Sequence, residues 1–298
     1  MSVDLTREAE TVGTAFLAAN RQFRDFSSHP FGTWLMNMPW LPRTRRFMRN
    51  VALLDRIVNG IIDGRRSSRD AGSGASEDLL DLLMDAQDAE TGERMSDRQL
   101  RDEVMTLMLA GHETTSNALT WALYLLSEHA HVREELEHEV DEVLTARIPV
   151  FEDISRLNYT NMVLEESMRL YPPAYAMTRT ATDADVVGGF HVDKGAIVTL
   201  SPYLTHRHPE FWDAPEAFDP QRFTPQRKAE RPRYAYMPFG GGPRMCIGNN
   251  FAMTEATLIL AMIAQRYRLD HVEGHPVDLE PLITLRPRYG MAMTLHER

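Results

Sequence analysis

One cysteine in 298 residues permits no intramolecular disulfide, which fits a reducing compartment. Basic residues are outnumbered, 32 Lys and Arg against 43 Asp and Glu, and the formal net charge of −11 argues against a nucleic-acid partner. The N-terminus, Met1-Ser2-Val3-Asp4-Leu5-Thr6-Arg7-Glu8, lacks the basic-then-apolar layout of a signal peptide. No apolar run approaches the length that crosses a membrane. Internal repeats and low-complexity segments are missing too. These absences predict a cytoplasmic, soluble protein with no membrane span, long enough for one large domain or two small ones.

What is present reads first as helices. Phe47, Val51, Leu54, Val58 and Ile61 recur at spacings of three and four, which predicts an amphipathic helix ending near Gly64. Residues 65–76, rich in Ser and Gly, read as a loop, residues 77–86 as a short helix, and residues 89–92 as a turn. Ser96 is placed to cap the helix that follows. Residues 97–127 carry the longest helical pattern, polar at first and then apolar enough to predict burial. Residues 132–144 predict a charged surface helix with a solvated face, and residues 158–170 another helix stopped by Tyr171-Pro172-Pro173.

After that the pattern changes. Residues 177–181, 186–187 and 196–200 predict short strands, with turns at Gly188-Gly189 and Asp193-Lys194-Gly195. A meander rich in Pro, Phe and Arg follows over residues 209–238, then an apolar helix over 251–263, then short strands from His271.

Four constellations carry chemistry. Ala110-Gly111-His112-Glu113-Thr114-Thr115-Ser116 interrupts the long helix with small and polar residues. A Thr hydroxyl there can bond a carbonyl one turn back and bend the helix. The stretch reads either as a groove that holds water and relays protons or as a helix–helix contact needing small residues. His112-Glu113 opens like a zinc-protease motif, but Ser116 stands where the second His is required. His206 and His208 form an H-x-H pair that reads as surface histidines in the absence of other clustered ligands. Glu166 and Arg169 lie three apart on one helix face, and Phe218-Asp219-Pro220-Gln221-Arg222-Phe223 offers a second guanidinium for a buried network. Last comes Phe239-Gly240-Gly241-Gly242-Pro243-Arg244-Met245-Cys246-Ile247-Gly248. Glycine lets backbone amides approach a sulfur, and a following helix N-terminus favours the thiolate. Alone, Cys246 also reads as a small buried hydrophobe, the commoner fate of a single cysteine.

In this order and at these separations the four motifs make the chain resemble the cytochrome P450 family of haem-thiolate monooxygenases. Phe239, Gly242, Arg244, Cys246 and Gly248 all match the family's Phe-x-x-Gly-x-Arg-x-Cys-x-Gly signature. The helix motif and cysteine loop look most like the branch that includes fatty-acid and other lipid hydroxylases.

The resemblance implies a mainly α fold with small β-sheets (α+β). It implies a single domain over 1–298: helical 1–171, strands and meander 172–245, haem-ligand loop and helix 239–265, strands 271–298. It implies haem b (iron protoporphyrin IX) with Cys246 on the iron, Phe239 and Gly248 beside the sulfur, and Arg244 on a haem propionate. Arg179 would be a second propionate partner and His206 a weaker one. Ala110 and Gly111 would line the oxygen pocket, Thr114 would hold bound oxygen and its water, and Glu113 would deliver protons. Glu166, Arg169 and Arg222 would secure the cysteine loop. Apolar substrate would meet Ala110, Ala174, Tyr175, Ala176, Met177 and residues 282–284 around Ile283.

The activity implied is insertion of one atom of O2 into a hydrophobic, lipid-like substrate. Electrons would come ultimately from NAD(P)H through a ferredoxin-type, flavodoxin-type or reductase partner. The basic cluster Arg227, Lys228, Arg231 and Arg233 reads either as a docking patch for that acidic donor or as solvated charges on a loop. Aligned by motif, Met1 falls near the start of the helix that roofs the family's substrate pocket. The resemblance thus covers the C-terminal two-thirds of the fold, lacking the N-terminal third, and leaves a non-catalytic haem-binding or partner-binding fragment as the alternative.

Overall fold

The computed structural model describes residues 9–27, 29, 31–72 and 78–298. They fall into two compact units, one ending at His112 and the other beginning at Glu113. The fold is mainly helical with small sheets, and among the described residues no helix is long and apolar enough to cross a membrane.

The first unit holds α1 (Ala9–Ser27), α2 (Gly32–Met36), α3 (Pro42–Asp70), α4 (Leu79–Asp85) and the start of α5 (Asp97–Glu128). Pro42 at the first position of α3 supplies a helical φ where no N–H is needed. Val58, Ile61 and Ile62 of α3 pack with Leu80, Leu100 and Val104 in one buried cluster.

α3 does not stop near Gly64; it runs six residues further, to Asp70. The reason is electrostatic. Arg65 pairs with Asp78 at 2.8 Å and with Asp81, and Arg69 pairs with Asp81 at 2.6 Å and Asp85 at 2.9 Å. These bonds reward helical geometry in residues that pattern alone assigns to a loop. Of the expected 65–76 loop and 77–86 helix, residues 73–77 lie outside the described set. Ser96 caps α5 as expected, and reciprocally. The Gln99 N–H donates to Ser96 Oγ at 3.3 Å, while the Ser96 N–H donates to Gln99 Oε1 at 3.0 Å.

The second unit continues α5 and adds α6 (Ala130–Leu144) and α7 (Asn158–Leu170). Then come β1 (Met177–Thr180), β2 (Asp185–Val187), β3 (Phe190–Val192), β4 (Ile197–Leu200), α8 (Pro202–Thr205) and α9 (Pro225–Glu230). α10 (Asn249–Arg266), β5 (Tyr267–His271), β6 (Leu279–Pro281), β7 (Leu285–Pro287) and β8 (Met293–Glu297) complete it. The core is helical: Leu125 and Leu126 of α5, Leu136 and Val140 of α6, Val163 and Leu164 of α7, and Leu260 and Ala261 of α10.

The strands form four antiparallel pairs: β1 with β4, β2 with β3, β5 with β8, and β6 with β7. β3 was not expected from the sequence; it is the return arm of a hairpin closed by Gly188 and Gly189, both at positive φ.

α6 is not a merely solvated helix. Arg133 is buried and pairs with Asp270 at 3.2 Å. Glu139 caps the start of α7, accepting the N–H groups of Tyr159 at 2.6 Å and Thr160 at 2.8 Å and the Thr160 hydroxyl at 2.8 Å. A carboxylate on three donors at a helix N-terminus is both a cap and a dipole partner. Glu139→Ala is expected to lower the stability of this unit by about 2 kcal/mol in a urea titration, with α7 fraying first by hydrogen exchange.

Candidate functional site

The cysteine loop is built on turns. The Cys246 N–H donates to the Phe239 carbonyl at 2.9 Å, the Gly240 N–H to Met237 at 3.0 Å, and the Met245 N–H to Gly242 at 3.1 Å. Gly240 and Gly242 hold φ of 76° and 67°, a region costly for any side chain. A Cβ on Gly241 would stand 2.7 Å from the exposed Tyr234 ring, which would have to shift. α10 begins at Asn249, two residues earlier than the apolar pattern suggests, with Gly248 as N-cap and no side-chain cap. A Cβ on Gly248 would sit 3.9 Å from Cys246 Sγ.

Cys246 is exposed, unlike a cysteine serving as a small core hydrophobe. Around it stand apolar side chains equally open: Ile247 is 90% exposed and Phe251 69%. One soft sulfur donor amid an open apolar surface, with Arg244 exposed on the same loop, fits a flat, largely apolar, anionic metal complex. The donor set therefore fits haem.

Glu113 is buried, Thr114 half-buried, and Ala110 and Gly111 exposed on α5, with open space where a Gly111 Cβ would project. α5 is unbroken through this stretch. Within α5 the Ser116 hydroxyl donates to the Glu113 carbonyl at 3.1 Å and the Thr120 hydroxyl to the Ser116 carbonyl at 2.7 Å. Arg179 is exposed on β1 and donates to the Thr178 carbonyl at 2.8 Å.

Of the substrate candidates, the Tyr175 hydroxyl donates to the Leu282 carbonyl at 2.9 Å, and Met177 Sδ lies 3.2 Å from the Cβ position of Gly240. Ala174 is half-buried and Ala176 exposed. Ile283 is exposed between buried Leu282 and Thr284, and Asn117 Nδ2 donates to Thr284 Oγ1 at 3.1 Å. Asn117 escaped sequence reading because no spacing links it to a residue so far along the chain.

Glu166, Arg169 and Arg222 do meet. Arg169 and Glu166 are wholly buried and paired twice, at 2.6 and 2.8 Å; Arg222 approaches Glu166 at 3.4 Å. Glu166 also accepts the Asp219 N–H at 2.9 Å. Burial raises its pKa above the usual carboxylate value, against the pull of Arg169.

Two expectations are corrected. His206 is not a surface histidine and is not available to a propionate; it is fully buried, and its Nε2 accepts the Met237 N–H at 2.8 Å. Burial lowers its pKa to about 3, and that acceptor role puts the ring proton on Nδ1. The basic cluster is largely spent within the chain. Arg227 pairs with Asp219 at 3.1 Å and Lys228 with Glu165 at 2.5 Å, while Arg231 stacks on Trp212 at 4.2 Å and Phe223 at 4.6 Å. Arg233 lies 5.2 Å from the ring centre of Tyr234.

A family model described as Cytochrome P450 matches residues 4–293. Cyclooctatin synthase of Streptomyces melanosporofaciens is 45% identical over 82% of this chain and 53% of its own length. Cyclooctat-9-en-7-ol 5-monooxygenase of the same organism is 41% identical over 78% of this chain and 50% of its own. A crystal structure of a cytochrome P450DA heme domain superposes with a TM-score of 0.84 at 33% identity, covering 96% of this chain and 61% of that one. The chain spans about half the length of the curated relatives it matches.

Proposed function

The chain belongs to the cytochrome P450 family, and from that premise we propose that it acts as a haem-thiolate monooxygenase on a hydrophobic, lipid-like substrate. The observation that carries the proposal is the exposed Cys246 on a glycine-built loop amid open apolar side chains. Relatives named cyclooctatin synthase and cyclooctat-9-en-7-ol 5-monooxygenase support a monooxygenase reading with an organic substrate.

Cys246 would hold haem through its thiolate, and the haem would supply O2 activation. The chain's own residues do the rest. Arg244 and Arg179 hold propionates through charge-assisted hydrogen bonds. Phe239 keeps water from the sulfur, and the nearby amides tune its electron density. Ala110 and Gly111 would leave room for oxygen. Thr114 orients water at its hydroxyl, and Glu113 passes protons inward as a positioned acid. Electrons come from a separate ferredoxin-type, flavodoxin-type or reductase partner supplied by NAD(P)H.

Thr114→Ala is expected to cut product formed per NAD(P)H consumed at least about tenfold while peroxide rises, since a lost positioned proton relay removes one or more orders of magnitude. Unchanged coupling would remove Thr114 from this role. The alternative reading is a haem-binding or partner-binding fragment without turnover. Haem uptake with no substrate oxidation under any donor would select it.

A further inference from the structure

The buried ion pair does not itself reach the cysteine loop. All five N–H donors of Arg169 are committed: two bonds to Glu166, and one each to the carbonyls of His206 at 2.9 Å, Pro215 at 2.6 Å and Ala217 at 2.9 Å. Those carbonyls lie at the end of α8 and in the first part of the meander, well before residue 239. The stem of the loop, residues 236–237, is held by two side-chain hydrogen bonds, one of them accepted by His206.

His206 stands at the crossing. Its carbonyl takes an Arg169 donor, while its ring Nε2 accepts the Met237 N–H at 2.8 Å. The Met237 carbonyl in turn accepts the Gly240 N–H at 3.0 Å, and the Phe239 carbonyl accepts the Cys246 N–H at 2.9 Å. Three hydrogen bonds thus separate the imidazole from the cysteine backbone. The ring packs 5.1 Å from that of Tyr236, whose hydroxyl donates to the Glu165 carbonyl at 2.9 Å on α7. The stem of the loop is therefore held at two adjacent residues.

We infer that His206 is a positioning residue that fixes the cysteine loop to the Glu166–Arg169 pair by accepting the Met237 N–H at Nε2. A histidine present only for volume would need no such acceptor. Removing the acceptor leaves a partly enclosed amide unpaired, and the loop relaxes to find another partner. Stereochemistry sharpens the claim. The side-chain oxygen of Gln reaches about as far as imidazole Nε2, whereas that of Asn reaches only as far as Nδ1. The purpose of the positioning rests on reading Cys246 as a ligand; the positioning itself does not.

The test uses the thiol. Cys246 is the sole cysteine and is exposed, so its alkylation by iodoacetamide in the folded full chain, without haem, reports the loop directly. His206→Leu and His206→Asn are expected to change that rate about fivefold, the worth of one net hydrogen bond, while His206→Gln stays near wild type. Thermal midpoints are measured alongside, and rates are taken well below the lowest. Equal rates in all four proteins, with lowered midpoints in the variants, would reduce His206 to packing. Gln behaving like Asn would overturn the acceptor role. If His206→Leu does not fold, the Gln–Asn contrast decides alone. Rates that respond as expected in a chain that never takes up haem would leave this inference standing and the proposed function fallen.

Discussion

Arg169→Ala is expected to destabilise the second unit by about 3–5 kcal/mol, the loss typical of breaking a buried ion pair from one side. Both partners are fully buried. The guanidinium also lies 5.0 Å from the Trp212 ring centre, a contact that Arg169→Ala removes as well. Removal strands the Glu166 carboxylate, whose pKa burial already raises, along with the carbonyls of His206, Pro215 and Ala217. Arg169→Lys should recover little, because an ammonium has three donors and cannot span Glu166 and three carbonyls in one plane. Urea unfolding of the three proteins measures this, and a loss below about 1 kcal/mol for Arg169→Ala would contradict it.

Acid is expected to destabilise the protein earlier than its carboxylates alone would dictate. His206 is neutral in the fold, its pKa lowered to about 3, chiefly by burial and secondarily by the nearby Arg169 and Arg207 charges. In the unfolded chain it titrates near 6.5. Between those values the unfolded state binds a proton that the folded state refuses, so stability falls as pH drops below about 6.5. The expected loss from this residue is about 2 kcal/mol by pH 5. Asp153 does not confuse that window. Its pKa, lowered to about 2 mainly by Arg147, makes its contribution complete above the ordinary carboxylate range and lost only as pH falls from about 4 toward 2. Glu165 and Glu166 shift in the opposite sense, and both carboxylates remain when His206 is replaced. Urea midpoints of wild type and His206→Gln between pH 5 and 8 give the comparison. The variant should show a flatter profile, and matching slopes would contradict the buried neutral histidine.

Much of this was legible in the sequence where local signals agree. Periodicity and the Pro172-Pro173 stop define α7 to the residue, and Gly188-Gly189 places a turn at the tip of the β2–β3 hairpin. The cysteine motif led to the family because its residue types and spacing are demanding together. What stayed hidden depends on distant partners. Arg65 and Arg69 look like loop charges until the aspartates of α4 stand beside them. Arg231 reads as a free cation until Trp212 and Phe223 enclose it. From the sequence His206 reads as a surface histidine or a weak propionate partner, because nothing there announces that an amide 31 residues later needs its ring nitrogen. Exposed side chains near Cys246 carry a further lesson. Burial alone would have marked them as faults, whereas the chemistry of the donor beside them marks a surface made to be covered.

The central claim is that Cys246 binds haem iron as a thiolate. The most direct measurement is the absorption spectrum of the purified, haem-loaded chain, reduced and exposed to carbon monoxide. A Soret band at the strongly red-shifted position peculiar to thiolate ligation, lost in Cys246→His, is the predicted result. A histidine-type spectrum in wild type, or no haem uptake at all, would contradict it.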